Sequence, residues 1–61
     1  MEDNALEAVF VFNNADGVGE LRLLADDINQ KSGWVLAIWN GEVIGGVKEE
    51  YLRCFYLAPR T

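Results

Sequence analysis

The dipeptide Asn40-Gly41 stands between Trp34-Val-Leu-Ala-Ile-Trp39 and Glu42-Val-Ile-Gly-Gly-Val47, two runs rich in β-branched and aromatic residues. Asn-Gly readily takes the two positive φ angles of a tight hairpin turn, so this is the firmest structural signal in the chain. A two-residue loop sets the register. Trp39 faces Glu42, Ile38 faces Val43, Ala37 faces Ile44, Leu36 faces Gly45, Val35 faces Gly46 and Trp34 faces Val47. Facing residues share a side of the sheet, so one side carries Trp34, Leu36, Ile38, Val43, Gly45 and Val47 with no polar side chain. The other carries Val35, Ala37, Trp39, Glu42, Ile44 and Gly46, with Glu42 its only charge. Both sides are apolar, and a short chain has little else with which to cover them.

The 61 residues suffice for one small domain, residues 1–61, in which the polar stretch Met1-Glu-Asp-Asn4 is expected to fray. A domain of that size buries only about 60% of the surface its unfolded chain exposes, and small domains often add a disulfide, a metal or a partner. The single cysteine, Cys54, cannot form an intramolecular disulfide, and the absence of histidine removes the commonest metal ligand. Cys54 lies in an apolar run and is expected to be buried as a small hydrophobe. Self-association is the remaining device.

Hydrophobic residues make up 51% of the chain and charged ones 25%, a globular composition. No apolar stretch approaches the ~20 residues of a membrane span, and the N-terminus lacks a basic leader, so a cytoplasmic location is expected. The net charge is −5, and the five cations, Arg22, Lys31, Lys48, Arg53 and Arg60, are scattered along the sequence. Direct binding to nucleic acid or to an anionic membrane is therefore not expected.

Ala5 to Phe12 alternates as a first strand, and Asn13 to Gly19 is a cluster of turn formers. Glu20 to Ser32 places Leu21, Leu24, Ala25 and Ile28 at helical spacing. Glu20 and Lys31 lie at the ends favoured by the macrodipole, and Gly33 suits a helix C-terminus, so a helix is expected there. The last strand, Tyr51 to Leu57, follows Lys48-Glu49-Glu50. A four-residue loop pairs Val47 with Leu52, placing Leu52, Cys54 and Tyr56 on the all-apolar side, and Arg53, Phe55 and Leu57 on the other. The expected fold is α+β: a small two-layer domain, β-α-β-β-β, whose helix covers the all-apolar side of an antiparallel meander. The alternative reads Leu21, Leu23 and Ala25 as an alternating strand after a turn at Asp16-Gly17. That gives a five-stranded meander closing as an SH3-like or OB-like barrel.

No constellation carries a specific chemistry. Taking Gly17 as the sixth position of a calcium loop puts Phe12 first and Leu23 last, so the key oxygen ligands are missing. Gly17 and Gly19 lack the lysine and hydroxyl residue of a phosphate loop. Asp26 and Asp27, adjacent on a helix, would diverge by about 100°. Neither Cys54 nor Ser32 has a histidine to activate it. No enzymatic activity, metal or cofactor is expected.

With the helix over one side, Val35, Trp39, Ile44 and Phe55 are left as an exposed apolar patch, the candidate interface. The expected function is a small protein-interaction module that forms a homodimer or other homo-oligomer, or docks a protein partner. Two alternatives are a small-molecule-binding barrel and an acidic inhibitor, or decoy, of a nucleic-acid-binding protein. Gly45 and Gly46 on the second hairpin strand are expected to mark a bulge or a close backbone approach.

Overall fold

The chain is strand wherever it alternates, including the segment expected to be helical. A computed structural model describes residues 5–14 and 17–60. The strands are β1 (Leu6–Asn14), β2 (Gly17–Leu24), β3 (Asp27–Lys31), β4 (Trp34–Trp39), β5 (Glu42–Lys48) and β6 (Leu52–Pro59), with a 3₁₀ turn at Glu49–Tyr51. They form two three-stranded antiparallel sheets, ordered β2-β1-β6 and β3-β4-β5. There is no α-helix among the described residues, so the expected α+β fold is replaced by an all-β one. The expected fraying of residues 1–4, and the Asp16 half of the expected turn, lie outside the described residues.

The helix expected over Glu20–Ser32 fails for identifiable reasons. Its middle holds Asp26, Asp27 and Asn29, poor helix formers, and a helix of this length is marginal unless packing supports it. The alternating Leu21, Leu23 and Ala25 instead continue a strand whose first half pairs with β1, Leu23 opposite Ala8 and Leu21 opposite Phe10. At Ala25–Asp26 the chain bends from one sheet into the other. The Ala25 amide donates to the Leu6 carbonyl of the first sheet (3.1 Å), and the Asp26 amide donates to the Ile38 carbonyl of the second (2.9 Å). Ser32 and Gly33, with φ of 53° and 81°, form a two-residue hairpin turn that leaves Lys31 opposite Trp34. The positive-φ glycine read as a helix terminus serves a turn instead. β2 and β3 are thus two halves of one bent strand, as the meander alternative has it, but the ladder is divided into two sheets.

Asn40 and Gly41 adopt φ of 54° and 82°, and Trp39 pairs with Glu42 as expected. The expected register holds through Ile38 opposite Val43 and then shifts. Ala37 pairs with Gly45, Leu36 with Gly46, Val35 with Val47 and Trp34 with Lys48, which leaves Ile44 as the extra residue of a bulge. β6 departs further. The 3₁₀ turn carries the chain across to the other sheet, where β6 pairs with β1 and not with β5. The Glu49 amide holds this crossing by donating to the Gly33 carbonyl (2.9 Å). A second irregularity makes Arg53 the extra residue, since Phe12 faces Leu52 while Val11 faces Cys54.

The core lies between the sheets. Ala8, Phe10, Ala25, Val35 and Ala37 are fully buried there, with Phe12, Leu23, Ile28, Val47, Leu52 and Phe55 packed around them. Most of the buried residues are small, and Gly45 belongs with them: a Cβ there would lie 3.2 Å from Leu23 Cδ1. Such a thin core has no room for indole rings. Both tryptophans are accordingly exposed, Trp34 at 42% and Trp39 at 39%, and the expectation that Trp34 packs inside is overturned.

Candidate functional site

β4 decides which side of the second sheet faces out. Val35 and Ala37 point into the core, so Trp34, Leu36 and Ile38 point to the outside. Their cross-strand partners share that side: Lys31, Asn29 and Asp27 on β3, and Lys48, Gly46 and Val43 on β5. The outer face is therefore three rows, Lys31–Trp34–Lys48, Asn29–Leu36–Gly46 and Asp27–Ile38–Val43. Its β4 column is entirely apolar. Val43 is 59% exposed and the bulged Ile44 beside it 45%.

Gly46 shapes this surface. A Cβ at that position would lie 2.8 Å from Leu36 Cδ2 and 3.7 Å from Trp34 Cε3, so both side chains lean over β5 into the space the glycine leaves. The Lys48 ammonium sits 5.9 Å from the centroid of the Trp34 ring, within range of a cation–π attraction. The bulge at Ile44 gives Gly45 to the core and Gly46 to the outer face. Both glycines thus serve close approach, one on each side of the sheet.

The residues expected to form the interface do not converge. Val35 is fully buried and Phe55 half-buried against the core, opposite Phe10 in the other sheet. Trp39 and Ile44 are exposed beside the Asn40-Gly41 turn. The side assigned to the missing helix, Trp34, Leu36, Ile38 and Val43, is the one left uncovered. One local signal could have indicated this: Ser32-Gly33 as a hairpin turn, which makes the preceding segment a strand and leaves no helix to cover that side.

The outer face of the first sheet is differently built. Val9 is fully buried there, flanked by Arg22 and Tyr56, its partners on β2 and β6. Arg22 forms ion pairs with Glu20 and Glu7, which raise its pKa above the usual arginine value. The acidic side chains are dispersed: Glu7 and Glu20 attend Arg22, while the Asp26 carboxylate accepts the Asn40 amide at 3.1 Å and holds the hairpin turn.

Cys54 also belongs to this outer face, and it is exposed. The bulge at Arg53 places it opposite Val11 and away from the core, so the expected burial is corrected. A thiol reagent such as 5,5′-dithiobis(2-nitrobenzoate) is expected to titrate one thiol per chain without denaturant. Protection of the thiol until the chain is unfolded would contradict this placement.

The described residues contain no cluster of three or more His, Cys, Asp or Glu able to hold a metal. An open depression of about 590 Å³ lies beside the outer face, lined by Ser32, Gly33, Trp34, Lys48, Glu49 and Glu50. Its groups supply no nucleophile paired with a base. Among the described residues no helix is long and apolar enough to cross a membrane. No family model, curated protein or solved structure matches the chain.

Proposed function

We propose that this protein is a non-enzymatic interaction module whose working surface is the outer face of β3-β4-β5. The observation that supports this reading is the uninterrupted apolar column Trp34, Leu36 and Ile38, turned away from the core with Trp34 exposed and Leu36 and Ile38 half-buried, and extended by the exposed Val43. Exposed aromatic and aliphatic side chains grouped on one rigid sheet suit protein contact, because burying them releases water without requiring the backbone to reorder. Ile44 and Trp39 widen the apolar area at the end of the hairpin. The exposed Cys54 suits a reducing compartment, consistent with a cytoplasmic location.

The test is local. With the photo-crosslinker p-benzoylphenylalanine in place of Leu36, illumination of cells making the protein is expected to join it covalently to protein. The same residue in place of the exposed Arg53, on the other sheet, is expected to give little product. Equal crosslinking from both positions, or none from position 36, would overturn the reading.

A further inference from the structure

The charges on this face are segregated by row. Lys31 and Lys48 flank Trp34 at one end, and Asp27 flanks Ile38 at the other. Glu49 and Glu50 line the depression beside Trp34 and Lys48 but belong to the turn after β5, outside the three rows, so within the rows two cations stand at one end and one carboxylate at the other. Neither lysine forms an ion pair among the described residues, where the ion pairs are those of Arg22. The middle row, Asn29–Leu36–Gly46, is uncharged.

From this arrangement, and resting on the reading of the face as an interaction surface, we propose that its occupant is a second copy of the chain, docked face to face with its strands antiparallel. A two-fold axis lying in the interface across the strands, through the middle row, keeps each strand column over itself and reverses its direction. Lys31 of one copy then lies over Asp27 of the other, twice by symmetry. Trp34 lies over Ile38, and Leu36 meets Leu36 on the axis. An isologous interface needs a surface complementary to itself, and this charge order supplies it. The other two-fold arrangement, with the axis along the strands, superposes Lys31 on Lys48 and is opposed by repulsion.

The face is small. From the first row to the last it spans about 13 Å along the strands and about 10 Å across them, from the usual strand rise and spacing. Two such faces bury well under the ~1,200 Å² at which specific interfaces begin, so the dimer is expected to be weak and to exchange with monomer at roughly 100 µM to 1 mM.

Sedimentation equilibrium across that range, at low salt, tests the proposal. Both Asp27→Lys and Lys31→Asp are exposed changes, and circular dichroism checks that each variant folds. Each alone is expected to weaken the dimer about ten-fold by placing like charges together, and the double variant to recover most of the loss. In about 1 M salt the four proteins should converge. A wild type that stays monomeric to about 1 mM overturns the second copy as occupant. The interaction reading would then stand or fall separately on whether position 36 crosslinks to a different protein. A dimer indifferent to the single changes, or not restored by the double one, overturns the antiparallel arrangement.

Discussion

Replacing Phe10 by alanine is expected to leave the chain largely unfolded at 25 °C. Phe10 is the largest fully buried side chain, opposite Leu21 on β2 and Phe55 on β6, and its buried neighbours Ala8, Ala25 and Ala37 are too small to close over the space a ring vacates. Phe→Ala in a core costs about 3–5 kcal/mol. At the usual stability per residue, a chain of 61 residues has only about 3–9 kcal/mol in total. The cost is therefore of the same order as the whole, and exceeds it toward the lower end of that range. Phe10→Leu keeps much of the volume and is expected to cost no more than about 1.5 kcal/mol, which separates the loss of packing from the loss of an aromatic ring. Urea titration followed by far-ultraviolet circular dichroism reads both. A Phe10→Ala protein within about 1 kcal/mol of wild type would mean that the inter-sheet core is not what holds the sheets together.

Local turn chemistry was legible in the sequence, and the faces were not. Asn40-Gly41 announces its turn because few dipeptides accept two successive positive φ values, and the structure has that turn at that place. Ser32-Gly33 makes the same kind of turn with a serine at φ 53°, a conformation most side chains avoid, so its glycine is as readable as a helix terminus. The face assignment required counting residues from the turn, and period-two counting inverts whenever one residue is inserted. Ile44 is inserted after the first two pairs of the hairpin, and Arg53 does the same in β6. Val47 is consequently read beside Trp34 and Leu36, whereas it shares the side of Val35, and the exposure of the Trp34 side follows from the missing helix and not from the bulge. The partner of β6 was also beyond reach. Lys48-Glu49-Glu50 looks like a hairpin loop by length, while the 3₁₀ turn there redirects the chain to β1, a choice made by long-range pairing that no short window records.

The inversion of faces can be tested on two adjacent residues. Val35→Asp is expected to abolish folding, because it places a carboxylate at a site with no exposed surface, among Ala8, Phe10, Ala25 and Ala37, where no cation is at hand to pair with it. A buried charge without a partner costs several kcal/mol, comparable with the whole stability of a domain this small. Leu36→Asp changes the next residue of the same strand and is expected to fold. Its side chain would turn outward over Gly46, where water reaches it, and the cost should be about 1 kcal/mol from lost apolar contact and weaker strand propensity. The two variants differ again in association. The Leu36→Asp protein is expected to be a monomer at every concentration, since a two-fold axis through Leu36 brings the two carboxylates together. A helix over the all-apolar side, as the sequence pattern suggests, demands the reverse, with Leu36→Asp unfolded and Val35→Asp a soluble, folded protein. Proton–nitrogen correlation spectra of the two variants at the same concentration decide which side of β4 is covered, because dispersion survives only where the new carboxylate stands in water.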